Sequence, residues 1–407
     1  MKKVPKLRFK EFSDEWEEIK EDIKILSGNA YPLESYNSEG ILLVQGLNIY
    51  PGKLIIENPI YIAKNFNNFK HINIKNGDIL LGLNRPIINN ELKVCLFEND
   101  KAYLYQRAGI LHFNKNNINS KFIYQYLRSE SFKRKLEKEL VGSDQPYIKS
   151  DLFKIIKIYS GKYFEQEKIA NFLSSIDKKI SLTEEKLELF REYKKGVMQK
   201  IFSQELRFKD NEGNDYPKWE EKRLNELVVK LTNGISLNQN LEKKGYRVTR
   251  IETISMGKID INKIGFVLTD KNLDEYKLNI GDLLFSNINS VEHIGKIAYV
   301  DKDYNLYHGM NLLRIVFKEQ YNSKYFYYIL ITNKYKKIFE KLCNKAVSQA
   351  SINQTELGKI KVKFPILEEQ RKIANFLSSI DEKIEKIENE LENLKEFKKG
   401  LLQQMFV

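Results

Sequence analysis

The segment KIANFLSSID at Lys168–Asp177 returns unchanged at Lys372–Asp381, in a chain of 407 residues. At the same offset (372 − 168 = 204), and without a gap, Glu165–Phe202 and Glu369–Phe406 agree at 23 of 38 positions. An internal repeat decides the architecture before any local feature is read. Fainter echoes lie outside it. LRFK stands at Leu7–Lys10 and Leu206–Lys209, and WEE at Trp16–Glu18 and Trp219–Glu221. GDILL at Gly77–Leu81 answers GDLLF at Gly281–Phe285, and SKFIYQYL at Ser120–Leu127 answers SKYFYYIL at Ser323–Leu330. The chain is a duplication in which two constant blocks alternate with two blocks that have diverged.

The constant blocks carry the pattern of long helices. Ile169, Leu173, Ile176, Ile180, Thr183, Leu187, Phe190, Lys194, Val197 and Ile201 step alternately by four and three. Ile373, Leu377, Ile380, Ile384, Ile387, Leu391, Leu394, Lys398, Leu401 and Met405 repeat those steps. A 3.5-residue period is a coiled-coil seam. Neither block holds a proline, and their glycines, Gly196 and Gly400, come near the ends. At ~1.5 Å per residue each helix is roughly 55 Å long.

Two seams on one chain can pair with each other, and connectivity sets their direction. The second variable block leaves the first helix near Leu206 and reaches the second near Phe364. Antiparallel helices bring those two points to one pole, so that the ends of the block lie close together, as domain termini usually do. The expected fold is α+β. It has two mixed α/β modules separated by two long antiparallel coiled-coil helices, with an approximate two-fold symmetry. The boundaries fall at 1–162 for the first module, 163–205 for the first helix, 206–364 for the second module and 365–407 for the second helix.

Charge separates the two kinds of block. The chain carries a net +13, yet Glu165–Phe202 has 8 basic and 7 acidic residues and Glu369–Phe406 has 7 and 8. The helices are together neutral, so the excess lies outside them, mostly in the variable blocks. Basic modules in a chain with 23 Tyr and 23 Phe suit a polyanion; the plain alternative is a basic surface of no particular role. Two cysteines, Cys95 and Cys343, make no disulfide framework, so a reduced, cytoplasmic protein is expected. The N-terminal MKKVPKLRFKEF lacks an apolar h-region, and no run approaches a membrane span, so neither secretion nor insertion is expected.

Within the variable blocks, short apolar runs such as ILLVQGLNIY, GDILLGL, GKIAYV and LLRIVF precede a helix, from about Phe122 to Leu140 and from about Lys324 to Leu342. Two pairs of loops align. GILLVQGLNIYPGK (Gly40–Lys53) matches GYRVTRIETISMGK (Gly245–Lys258), with both glycines and the terminal Lys53 and Lys258 in register. Gln45 then answers Arg250, and Asn48 answers Thr253. Further on, SDQPYIKSDL (Ser143–Leu152) answers VSQASINQTEL (Val347–Leu357).

Shared glycines fix the backbone, while differing Arg, Gln, Asn and Thr residues supply the donors and acceptors that match base edges. The candidate DNA contacts in the first module are Gln45, Asn48, Lys53, Arg85, Arg107, Gln145 and Lys149. In the second they are Arg247, Arg250, Thr253, Lys258, Asn287, Asn311 and Gln349. The competing reading is that these are ordinary exposed loop residues.

Catalytic signatures are missing. The sequence has no G-x-G-x-x-G, no G-x-x-x-x-G-K-[ST], no metal-spaced Cys/His set and no triad, and His71, His112, His293 and His308 are scattered. The string nearest to an amino-methyltransferase N-P-P-Y is Asn58-Pro59-Ile60-Tyr61. The chain reads as a reader and scaffold.

Two variable modules alternating with two near-identical helices, each entered through E-Q-x-K-I-A-x-F-L-S-x-I-D, resemble the DNA-specificity subunit of type I restriction–modification enzymes. FPILEEQ at Phe364–Gln370 is similar to that family's P-L-x-E-Q approach, whereas YSGKYFEQ at Tyr159–Gln166 has Gly161 in place of Pro365.

The resemblance implies that each module is a target recognition domain reading one half of a bipartite double-stranded DNA sequence. It implies that the helices set the spacer and dock two methyltransferase subunits through Ile169, Leu173, Ile176, Ile180, Leu187, Ile373, Leu377, Ile380, Ile384 and Leu391. It places S-adenosylmethionine and adenine methylation in those partners, adds a restriction subunit in the full complex, and leaves this chain without catalytic residue, metal or cofactor. Two rivals stay open. Salt-dependent DNA binding separates this reading from a coiled-coil protein-interaction scaffold, and cofactor binding by the isolated chain would reveal a self-contained enzyme.

Overall fold

A computed structural model of the chain describes every residue except 1–2, 21–22, 65, 67–69, 115, 143, 241, 290–293 and 346–349. Its contacts divide the chain into two compact units, Met1–Glu185 with Glu388–Val407, and Lys186–Ile387. Each unit combines one variable block with the start of one constant block and the end of the other.

The first unit is built on an antiparallel four-stranded sheet in the order Val94–Leu96, Ile79–Gly82, Ala108–His112, Lys24–Ser27. The GDILL echo sits in its centre because Ile79, Leu80 and Leu81 are buried on both faces, as suits an inner strand. A second, mixed sheet pairs Ile41–Val44 in parallel with Lys101–Leu104. The core gathers Trp16, Phe122, Tyr126 and Phe132 around the start of the first long helix (Ile169, Leu173, Ile176) and the end of the second (Leu401, Met405, Phe406).

In the second unit the four-stranded sheet has the matching order Ile297–Tyr299, Leu283–Phe285, Leu313–Phe317, Val228–Asn233. Registers agree as well: Leu80 faces Ile110 in the first unit and Leu284 faces Arg314 in the second. Arg314 thus occupies a core position. Burial there is made tolerable by Asp282, 2.6 Å away, since a buried charge survives only when paired.

The long helices run Tyr163–Phe202 and Leu367–Gln404. In the first unit Leu7 donates to the Gln404 carbonyl while neighbouring Arg8 holds Glu165, and further along Lys179 meets Glu390. The two helix segments there are therefore antiparallel. In the second unit Arg207 holds Glu369 beside the end of the first helix, and Lys194 meets Asp381, which gives the same sense. The expected seam residues Ile169, Leu173, Ile176, Leu187, Ile373, Leu377, Ile380 and Ile384 are buried, while Ile180 and Leu391 are half-buried.

One expectation needs correcting. The single helix anticipated over Phe122–Leu140 is two, Ser120–Leu127 and Glu130–Glu139, because the Ser129 hydroxyl accepts from Phe132 N–H and starts a new helix. Its counterpart breaks likewise into Ser323–Leu330 and Asn333–Leu342, where Thr332 donates its hydroxyl to the Ile329 carbonyl. A hydroxyl that bonds local backbone competes with helix continuation.

Candidate nucleic-acid interface

Both modules are joined to their helices by the same device, which explains why LRFK and E-Q occur twice. Arg8 grips Glu165 with both carboxylate oxygens engaged, at 2.7 and 2.8 Å, and Arg207 grips Glu369 at 3.2 and 2.6 Å. Both glutamates are buried, and a two-pronged guanidinium–carboxylate pair fixes orientation as well as distance. The next residue completes the joint. Gln166 accepts from Asn119 N–H at 3.0 Å and Gln370 from Asn322 N–H at 2.9 Å. Each Asn is the N-cap of the helix that begins with SK. Phe9 packs edge-on against Phe172, as Phe208 does against Phe376. At Gly161, which stands where the second approach has Pro365, an added Cβ would overlap the clamped Glu165 carboxylate.

The aligned loops are held by matched hydrogen bonds. The Asn48 side chain accepts from Gln45 N–H at 2.8 Å and donates to the Ile55 carbonyl at 3.2 Å. The Thr253 hydroxyl accepts from Arg250 N–H at 2.8 Å and donates to the Lys263 carbonyl at 2.5 Å. This corrects the expectation that Asn48 and Thr253 face bases. Both are buried, and both spend their polar atoms on the backbone of their own loop. Gly52 and Gly257 turn the two tips with φ of +77° and +72°.

Gln45 and Arg250 are half-buried at the loop mouths, and Lys53 and Lys258 are exposed at the ends. In the first unit the remaining candidates come to the same end of the four-stranded sheet. A Cβ at Gly46 would lie 2.5 Å from the Arg107 carbonyl, and that carbonyl accepts from Leu83 N–H at 2.9 Å. Leu83 in turn accepts from Ile148 N–H at 2.9 Å, and Arg85 donates its N–H to Pro146 at 2.7 Å. Arg85, Arg107, Gln145 and Lys149 are exposed along this line.

In the second unit Asn287 accepts from Ile352 N–H at 2.9 Å, repeating the Leu83–Ile148 bond, and Asn311 has φ of +70° where Arg107 has +67°. Arg247 reaches the Tyr304 carbonyl at 3.3 Å. The Asn287 side chain is buried, with Oδ1 lacking a hydrogen-bond partner. Gln349 lies outside the described residues.

A charged cluster went unforeseen. Asp177 receives Gln125 Nε2 at 2.7 Å, Arg128 Nη1 at 3.1 Å and Lys398 Nζ. In the second unit Asp381 receives Lys194 Nζ at 2.5 Å and the Tyr328 hydroxyl at 2.7 Å. Burial, then the neighbouring Arg128, brings the Lys398 ammonium down to about 7, against the pull of Asp177. Burial pushes the Asp177 carboxyl up, but Arg128 and Lys398 outweigh it and hold it below the ordinary carboxylate range. The sequence signal was a lysine standing in each apolar seam.

Chemically, the arrangement offers donors, acceptors and cations held on a hydrogen-bonded loop frame. Among the described residues no group of His, Cys, Asp and Glu could hold a metal ion, and no helix is long and apolar enough to cross a membrane.

A sequence model of the family described as "Type I restriction modification DNA specificity domain" matches residues 14–189 and again 216–396. The chain belongs to that family. Type I specificity chains resemble it over about one repeat. A Methanocaldococcus jannaschii protein bearing the name of the MjaX type I restriction enzyme specificity subunit is 44% identical over 210 residues, or 50% of this chain and 49% of that protein. The MjaVIII specificity subunit of the same organism is 32% identical over 51% of this chain and 50% of its own. In these alignments the chain spans about half the length of the curated relatives it matches. In fold, a type I restriction–modification S subunit from M. genitalium superposes over 99% of both chains with a TM-score of 0.62 at 18% identity.

Proposed function

We propose that this member of the type I specificity family is the DNA-reading subunit of a modification complex. Each module, at 1–162 and 206–364, takes one half of a bipartite double-stranded target, and the helical segments 163–205 and 365–407 set the distance between half-sites. The observation that carries this reading is the pair of loops held by the same hydrogen bonds and differing in the side chains they present. One frame used twice with different outward groups is the form expected of two related readouts. Exposed Lys53, Arg85, Arg107, Lys149 and Lys258 supply the cations for phosphates, which position without specifying.

Adenine methylation and S-adenosylmethionine belong, on this reading, to two methyltransferase subunits. A docking surface for them recurs on the helices. Tyr193 and Phe397, 52% and 54% exposed at corresponding positions, are each followed one turn later by a glycine, Gly196 or Gly400, that no neighbour in the chain crowds. A helix-interior glycine costs about 1 kcal/mol against alanine; close approach by another protein's backbone gives it a use.

The test is direct. The chain should bind duplex DNA with an affinity that falls steeply with salt, and should yield methylated adenine only when a methyltransferase subunit is added. Salt-insensitive binding, or methylation by the chain alone, would refute the proposal.

A further inference from the structure

The matched loops differ at their outward positions in a chemically paired way. Asn48 and Thr253 anchor the loops identically, so the residues three and one before them leave the frame at corresponding places. In the first unit these are Gln45 and Leu47; in the second they are Arg250 and Glu252. Leu47 is 67% exposed. Arg250 and Glu252 face each other at 3.3 and 3.4 Å. Gly265 lies under two side chains: a Cβ there would meet Gln239 Oε1 at 2.3 Å and Arg250 Cδ at 3.3 Å. Gly265 stands opposite Val248 as Ile60 stands beside Leu43.

We infer that each loop reads one whole base pair from the major groove: Gln45 with Leu47 an A·T pair, and Arg250 with Glu252 a G·C pair. The inference rests on the DNA-reading function proposed above. A glutamine amide matches adenine N6 and N7, and an apolar side chain matches the thymine methyl; an arginine fork matches guanine O6 and N7, and a carboxylate accepts from cytosine N4. Each loop thus holds the complement of both bases of one pair. The obvious competitor for Arg250 is a phosphate, and Glu252 argues against it. A carboxylate within 3.4 Å of the guanidinium repels a phosphate, while it satisfies the cytosine amine. Leu47 has nothing to offer a phosphate either.

The experiment uses the full chain assembled with its methyltransferase subunit, in a host without other adenine methylation, and maps methylated sites genome-wide. The double substitution Arg250→Gln with Glu252→Leu places the first loop's pair on the second frame, with a smaller side chain over Gly265. We expect one position of one half-site to change from G·C to A·T, by roughly 10- to 100-fold in preference, while the other half-site stays as it was. Arg250→Lys keeps the charge but loses the fork, so it should relax that one position. Should the double variant not methylate at all, Arg250→Lys still decides. Wild-type preference at every position in either variant overturns the assignment. A wild-type complex that methylates no bipartite motif would remove the proposed function itself, and this assignment with it.

Discussion

Thr253→Val tests whether a residue in the recognition loop holds the loop or reads DNA. Valine has the shape of threonine, so the substitution opens no cavity and leaves packing alone. What it removes is one hydroxyl that accepts from Arg250 N–H at 2.8 Å and donates to the Lys263 carbonyl at 2.5 Å. Each buried polar group left without a partner costs ~1–3 kcal/mol. Here two backbone groups are stranded, but Arg250 is half-exposed and Lys263 exposed, so water reaches part of the gap. The lower end applies, about 2 kcal/mol in all. With a urea slope of about 2 kcal/mol per molar, the midpoint for the second unit should fall by about 1 M. Urea unfolding of the variant measures this, and methylation mapping in the assembled complex gives the second readout. Activity should drop while the recognised sequence stays the same. An unchanged midpoint together with an altered half-site would show that Thr253 contacts bases and that the loop is held by something else.

Three further outcomes follow from the same geometry. Inserting four residues after Thr183 adds ~6 Å of helix, close to two base-pair steps of ~3.4 Å; methylation mapping should find a changed spacer with both half-sites intact, and an unchanged spacer would end the ruler. A fragment ending near Gln204 keeps both Asp177 and Lys194, the two kinds of residue that form the seam's ion pairs. It should therefore form an antiparallel dimer by solution mass and direct methylation to an inverted repeat of the first half-site, despite Thr183 lacking its complement Ile387. His308 is pushed down to about 4, chiefly by burial and with Arg314 adding to it, below an unfolded value of about 6.5. Its contribution to stability is thus present above pH 6.5 and lost as pH falls toward 4, about 3 kcal/mol in total; His308→Gln should flatten that part of the unfolding curve.

The periodic features of this chain were open to reading because period alone determines which face of a helix is buried. The seam from Ile169 to Ile201 needed nothing but its own spacing. The alignment of Gly40–Lys53 with Gly245–Lys258 likewise survived, down to the shared turn glycines. What stayed hidden were choices made by single polar atoms. Asn and Thr bond local backbone as readily as they bond a ligand, so Asn48 and Thr253 could be placed in register without revealing that they turn inward. The three-residue spacing from Gln45 N–H to Asn48, and from Arg250 N–H to Thr253, was the signal, since short polar side chains often close such turns. Ser129 hid a helix break for a related reason, because the apolar pattern runs on through it. Lys398 was visible as an anomaly in the seam, but its partner Asp177 is 221 positions away in the sequence (398 − 177), and only the packed helices bring them together.

The joint made by Arg8, Glu165 and Gln166, repeated by Arg207, Glu369 and Gln370, has a consequence for inheritance. Every group in it except the capping asparagine comes from the flanks of a module, and Asn119 and Asn322 supply that cap identically. The joint therefore works as a standard coupling, indifferent to the loops it carries. A stretch of sequence bounded by LRFK and E-Q thus carries its module with both halves of the coupling already matched.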